Sequence, residues 1–194
     1  VALLLASSVS LTSAGLEPDV FRNSTELIHS RGYPAEVHEI TTDDGFILTT
    51  VRIPHGRKST AVGPPVLVYH ALLCSSDEFI LDSAESSLAF VLADAGWDVW
   101  LGNKRGNSLS LKHKTLKPTD EAFWDWTFDE VGMIDIPNVV DHVCISLSFF
   151  VVITISHNPI NPNRFCQSQE QRPWHILDIV KEQLLDLLLR AIHE

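Results

Sequence analysis

Two short apolar runs, separated by an interval long enough for one helix, restrict the fold of this chain more than any other feature. "VLVY" at 66–69 is continuous and apolar, as expected of a strand covered on both faces, and "WDVWL" at 97–101 reads as a second strand. Between them Leu88, Val91, Leu92 and Ala95 fall on one face of a helix over 86–95, and Gly96 stands where a helix end takes a left-handed residue. Strand, helix and strand at this spacing make a βαβ unit, whose right-handed crossover leaves its strands parallel. The fold class is therefore α/β.

The flanking segments extend the same sheet. Glu36 to Thr42 and Phe46 to Ile53 are β-branched-rich runs joined by Asp43-Asp44-Gly45, a hairpin in which Gly45 supplies the positive φ of the turn. A Gly/Pro-containing loop from Arg57 to Pro65 leads into the central strand. After "LGNKRGNSLS" a second helix is expected from Asp135 to about Val143, with Pro137 in its first turn, and a third parallel strand after it.

With 194 residues, 45% of them hydrophobic, the chain can bury one ordinary core. Its formal net charge of -11, without a dense Lys/Arg cluster, argues against nucleic acid and anionic lipid as partners. "VALLLASSVSLTSAG" is an apolar run with Thr12 and Ala14 placed like the small pair before a signal-peptidase cut, so residues 1–14 read as a signal-peptide remnant; the alternative is a buried N-terminal strand. The run is too short to span a bilayer, and no transmembrane segment is expected. Asn23-Ser24-Thr25 fits a glycosylation acceptor, which agrees with export. Cys74, Cys144 and Cys166 lack metal-ligand spacing and their pairing stays open, with a buried thiol favoured for Cys144. No cofactor and no metal is expected.

"RGYPAEVHEITTDDGFILTTVRIPHG" at 31–56, "PVLVYHALLCSS" at 65–76, "SLAFVLADAGWDVWLGNKRGNSLSLKH" at 87–113 and "FWDWTFDEVGMIDIPNVVDHV" at 123–143 resemble the N-terminal half of the acid lipases, the gastric and lysosomal lipase family. The likeness runs from about Asp19 to Val143. It implies the N-terminal part of an α/β-hydrolase sheet over 19–143, truncated before the nucleophile elbow. It also implies a secreted or lysosomal serine hydrolase that cleaves neutral lipid esters, triacylglycerols or cholesteryl esters, through a Ser-His-Asp triad and an oxyanion hole. The family's HGLL loop corresponds to His70-Ala71-Leu72-Leu73, which makes the Leu72 backbone N–H an oxyanion donor. Ala71 replaces the family's Gly, and a positive φ there would strain the loop. His70 reads as a satisfied histidine at a strand end rather than a catalytic one. Arg105 reads as a loop organiser, and Trp97, Trp100, Trp124 and Trp126 as core.

The nucleophile of this fold sits in G-x-S-x-G, a strained strand-to-helix turn, and that pattern is absent from the sequence. "IHSRG" resembles part of it, but Ser30 lies before the first strand. Ser156 follows the apolar run "VCISLSFFVVITI", yet Thr154 and Asn158 stand where glycines belong and Pro159 opposes the helix. The sequence therefore offers no catalytic residue. Residues 144–194 do not resemble the lipase continuation and read as an unrelated tail, from alternative splicing or an incomplete gene model. Its last part carries Ile176, Val180, Leu184, Leu187 and Leu188 at the spacing of an amphipathic helix. Either "VLVY" is left as an open, aggregation-prone edge, or the run from 144 to 155 takes the neighbouring strand position. A non-catalytic secreted protein that binds lipid or a partner is the second functional reading; the sequence identifies no protein partner.

Overall fold

A computed structural model describes residues 17–144 and 151–154. The expected leader, Ser156, Cys166 and the C-terminal amphipathic segment lie outside them. The strands are β1 (Glu36–Thr41), β2 (Phe46–Ile53), β3 (Pro65–Tyr69), β4 (Asp98–Gly102), β5 (Lys112–His113) and β6 (Val151–Thr154). The helices are α1 (Ser24–Ser30), α2 (Leu88–Asp94), α3 (Phe128–Glu130) and α4 (Ile136–Cys144), with a π-helical turn over Val131–Asp135 that joins α3 to α4.

One sheet runs β1-β2-β4-β3-β6, and β5 pairs with β2. The hairpin closes as its sequence demands. Thr42 N–H donates to Phe46 O at 2.8 Å, Gly45 N–H donates to Thr42 O at 3.0 Å, and Gly45 takes φ +101°. β4 lies antiparallel to β2 and parallel to β3, with Val66 opposite Val99 and Val68 opposite Leu101. α2 ends in a Schellman motif. Trp97 N–H reaches Leu92 O at 3.1 Å, Gly96 N–H reaches Ala93 O at 3.0 Å, and Gly96 has φ +92°.

Alternation along the strands divides the core in two. On the first face Val51, Ile53, Val66, Val68, Val99 and Leu101 meet Ile28 of α1, Phe90 of α2 and the segment around Ile80. On the second face Phe46, Leu48, Leu67, Tyr69 and Trp100 meet Phe123 and the apolar side of α4, namely Ile136, Val139, Val140 and Val143. β3 and β4 are buried along their whole length because both faces are covered.

The structure refines several expectations. The helix expected from Asp135 to about Val143 is α4, but it is extended at its start by α3 and the π turn, which were not expected and begin at Phe128, where Thr127 and Glu130 form a capping box. The π turn then breaks the 3.6-residue period that would have revealed it. It also suits Pro137, which has no N–H and crowds the carbonyl four residues back in a regular helix. Trp124 is not core: it is 47% exposed, whereas Trp100 is buried and Trp97 and Trp126 are half-buried. Of the two alternatives for the outer edge of β3, the second holds: Val66 to Tyr69 pair in parallel with Val151 to Thr154 of the 144–155 run. α1 was not foreseen, although Asn23 and Glu26 carry its capping box.

Candidate functional site

In open α/β sheets ligands bind beyond the carboxyl ends of the parallel strands. Here those ends deliver two loops, 70–76 after β3 and 103–110 after β4, and a polar network ties them together. Asn103 is fully buried. Its Oδ1 accepts the Ser76 N–H at 2.9 Å, and its Nδ2 donates to Ser76 Oγ at 2.9 Å and to Thr49 O at 3.0 Å. Asn107 Nδ2 donates to Asn103 Oδ1 at 2.7 Å, while its Oδ1 accepts the N–H groups of Leu109 and Ser110 at 3.0 and 2.9 Å.

His70 is a satisfied histidine, as expected. Nδ1 lies 2.8 Å from Ala71 O, and Nε2 lies 3.2 Å from Lys104 N and 3.0 Å from Asn107 Nδ2. Only one arrangement of protons satisfies these contacts, with Nδ1–H donating and Nε2 accepting, so the ring is neutral. Burial first, and then the nearby Lys104 ammonium, hold His70 below the ordinary histidine range. Lys104 Nζ in turn donates to His70 O.

The loop after β3 leaves the backbone N–H groups of Leu72, Leu73 and Ser75 without an acceptor among the described residues. Ala71 N–H is taken by Glu78 Oε1 at 2.9 Å, and Cys74 N–H closes a turn onto Ala71 O at 3.3 Å. Positive φ occurs at Leu73, at 64°, and not at Ala71, so the strain expected at Ala71 falls two residues later. Leu73 occupies the third position of a type II turn, where Gly is preferred. The Leu72 and Leu73 side chains are 61% and 96% exposed. Cys74 is a free thiol whose hydrogen bond to Glu78 pushes its pKa up.

Arg105 organises the neighbouring loop from the interior. Its Nε and Nη2 donate to Asp135 Oδ1 at 2.9 and 2.6 Å, its N–H to Asp135 Oδ2 at 3.1 Å, and its Nη1 and Nη2 to Asp44 at 2.6 and 3.1 Å. The guanidinium lies 4.2 Å from the centre of the Phe46 ring. One side chain thus joins the β4 loop, the hairpin turn and the π turn. Burial raises Asp135 against the pull of Arg105, whereas the Arg105 and Thr42 bonds outweigh burial and lower Asp44. Glu78, Asn103, Lys104 and Asn107 were not singled out in the sequence; only "NKRGN" marked the loop to which three of them belong. Among the described residues no three side chains are grouped to hold a metal ion, and no helix is long and apolar enough to cross a membrane.

Asn23 is exposed at the start of α1. Its Oδ1 accepts Glu26 N–H at 3.0 Å and Thr25 Oγ1–H at 2.7 Å. The glycan-bearing atom of such a triplet is the amide nitrogen, which these bonds leave unused.

Residues 24–83 match the model of the partial α/β-hydrolase lipase region. The chain is 47% identical over 131 residues to lipase member N of Homo sapiens, covering 66% of this chain and 33% of that protein. It is 43% identical over 131 residues to the lysosomal acid lipase/cholesteryl ester hydrolase of Homo sapiens, with the same shares. A Pyrococcus furiosus esterase structure overlaps 66% of this chain and 44% of its own, with a TM-score of 0.45 and 14% identity. The chain spans about a third of the length of the curated relatives it matches.

Proposed function

Since residues 24–83 belong to the α/β-hydrolase region of the lipases, we propose that this chain supplies the scaffold and one oxyanion donor for hydrolysis of neutral lipid esters in the secretory pathway. The unclaimed Leu72 N–H at the end of β3 carries this reading. Ala71 N–H, Cys74 N–H, the His70 ring and Asn103 around it are tied down, and a donor fixed in advance needs no reorganisation when charge develops on the substrate oxygen. The substrate class is triacylglycerol or cholesteryl ester, and the setting is secreted or lysosomal, consistent with a glycan on Asn23. The name of the lysosomal relative supports the ester chemistry.

The nucleophile, the second oxyanion donor and the rest of the triad belong to a G-x-S-x-G continuation that these 194 residues do not contain. The 194-residue chain by itself is therefore inactive, and residues 144–194 act as a non-catalytic tail. The exposed Leu72 and Leu73 favour one second reading, contact with lipid without turnover.

The test uses p-nitrophenyl butyrate. No hydrolysis above background is expected from the 194-residue chain, and hydrolysis removed by Ser156→Ala would overturn that. When residues 1–143 are joined to the C-terminal part of a lipase relative, activity is expected. There Leu72→Pro should lower kcat about 10²–10³-fold, since proline suits the second position of a type II turn and deletes only the N–H. An unchanged kcat would remove Leu72 from the oxyanion hole.

A further inference from the structure

We propose that His38 on β1 and His142 on α4 form a proton-sensitive clasp that lets α4 loosen from the sheet as the pH falls. His142 Nε2 lies 3.3 Å from His38 Nδ1, and the ring centroids are 5.4 Å apart at 69°. One N–H can bridge two ring nitrogens only while one of them lacks a proton. When both rings are protonated, two N–H groups and two positive charges face each other across the same gap.

The surroundings accommodate one proton better than two. On β1 Glu36 Oε2 lies 3.2 Å from His38 Nε2, which makes that nitrogen the donor and leaves Nδ1 to accept from His142. From β2 Arg52 donates to the same Glu36 oxygen at 3.0 Å, and it pairs with Asp98 of β4 at 2.8 and 3.0 Å. Trp100 of β4 adds an uncharged wall, 4.7 Å from the His38 ring and 6.0 Å from the His142 ring. Glu39 turns to the other face and pairs with Lys112, and Asp141, next to His142 in the chain, makes an interaction as well. On the sheet side Glu36 and Asp98 against Arg52 leave about one negative charge, enough to balance one imidazolium.

Burial, and then the like charge of His38, hold His142 below the ordinary histidine range. A histidine lowered in the folded state contributes stability above its ordinary pKa of about 6.5, and that contribution is lost as the pH falls through and below this value. The loss falls on the end of α4, where Val139, Val140 and Val143 close the second face. This inference is independent of the ester-hydrolysis reading.

Hydrogen exchange of the amides in 136–144 tests it on the full 194-residue chain at pH 7.5 and 5.0, corrected for intrinsic rates. Acidification should reduce protection of α4 about tenfold more in the wild type than in His142→Phe, with β3 and β4 amides changing alike in both. An equal loss in both proteins, or no loss in either, would overturn the clasp. Should the variant not fold, histidine titration of the wild type by NMR decides: a His142 step below the ordinary histidine range is expected, and a step at or above that range counts against it.

Discussion

Each face of the sheet carries an arginine laid over an aromatic ring and paired with carboxylates, but the two occupy opposite environments. On the second face Arg105 has 1% of its side chain exposed, over Phe46, between Asp135 and Asp44. On the rim of the first face Arg57 is 37% exposed, 5.0 Å from the Tyr33 ring, and paired with Asp94 at 2.8 Å. The Tyr33 hydroxyl donates to the same Asp94 at 2.8 Å, and its ring stacks on Phe90 at 4.5 Å. The inventory of contacts is nearly the same. What differs is water: removing one partner inside leaves charges that nothing resolvates, whereas at the rim solvent takes the vacated place.

That contrast sets an order of effects. Arg105→Ala should be the largest, a loss of about 3–5 kcal/mol in urea unfolding, because Asp135 is left buried and unpaired. A loss under 1 kcal/mol would mean that water already reaches the site. Next comes the turn at the end of β3, from which the two faces diverge. Leu73→Gly should gain roughly 0.5–1 kcal/mol by relieving its positive φ, partly offset by unfolded-state entropy, while Ala71→Gly should lose a comparable amount. The reverse pattern in thermal melts would return the strained position to Ala71. Smallest is Arg57→Ala, expected within about 1 kcal/mol of wild type and less costly still in high salt. A larger cost would erase the distinction between rim and interior.

The same division explains what could be read in the sequence. The strand–helix–strand order of the first face was legible because the two strands and Gly96 lie in one continuous stretch. The hairpin was legible for the same reason, through Gly45. The buried side of α2 was misread: Ala89, Phe90, Leu92 and Ala93 face the core, whereas Leu88 and Val91 are only half-buried and Ala95 is exposed. Much of the second face depends on partners far apart in the chain. Asp44 meets Arg105 across 61 residues, and His38 meets His142 across 104. No local pattern encodes such meetings. At the candidate site the resemblance put the strain at Ala71, whereas the positive φ lies at Leu73, because a missing glycine marks where a relative needed freedom and not where this loop turns left-handed.

The π turn before α4 works as a vernier. In a regular helix Gly132, four residues before Ile136, would lie beneath it; here the Ile136 N–H bonds to Val131 O instead, five residues back. Val131 is accordingly buried, while a Cβ placed on Gly132 would meet open space. One residue of added winding exchanges a hydrogen for an isopropyl group in the core. It also brings Asp135 round to Arg105, so the packing and the ion pair of this face are set by a single phase offset.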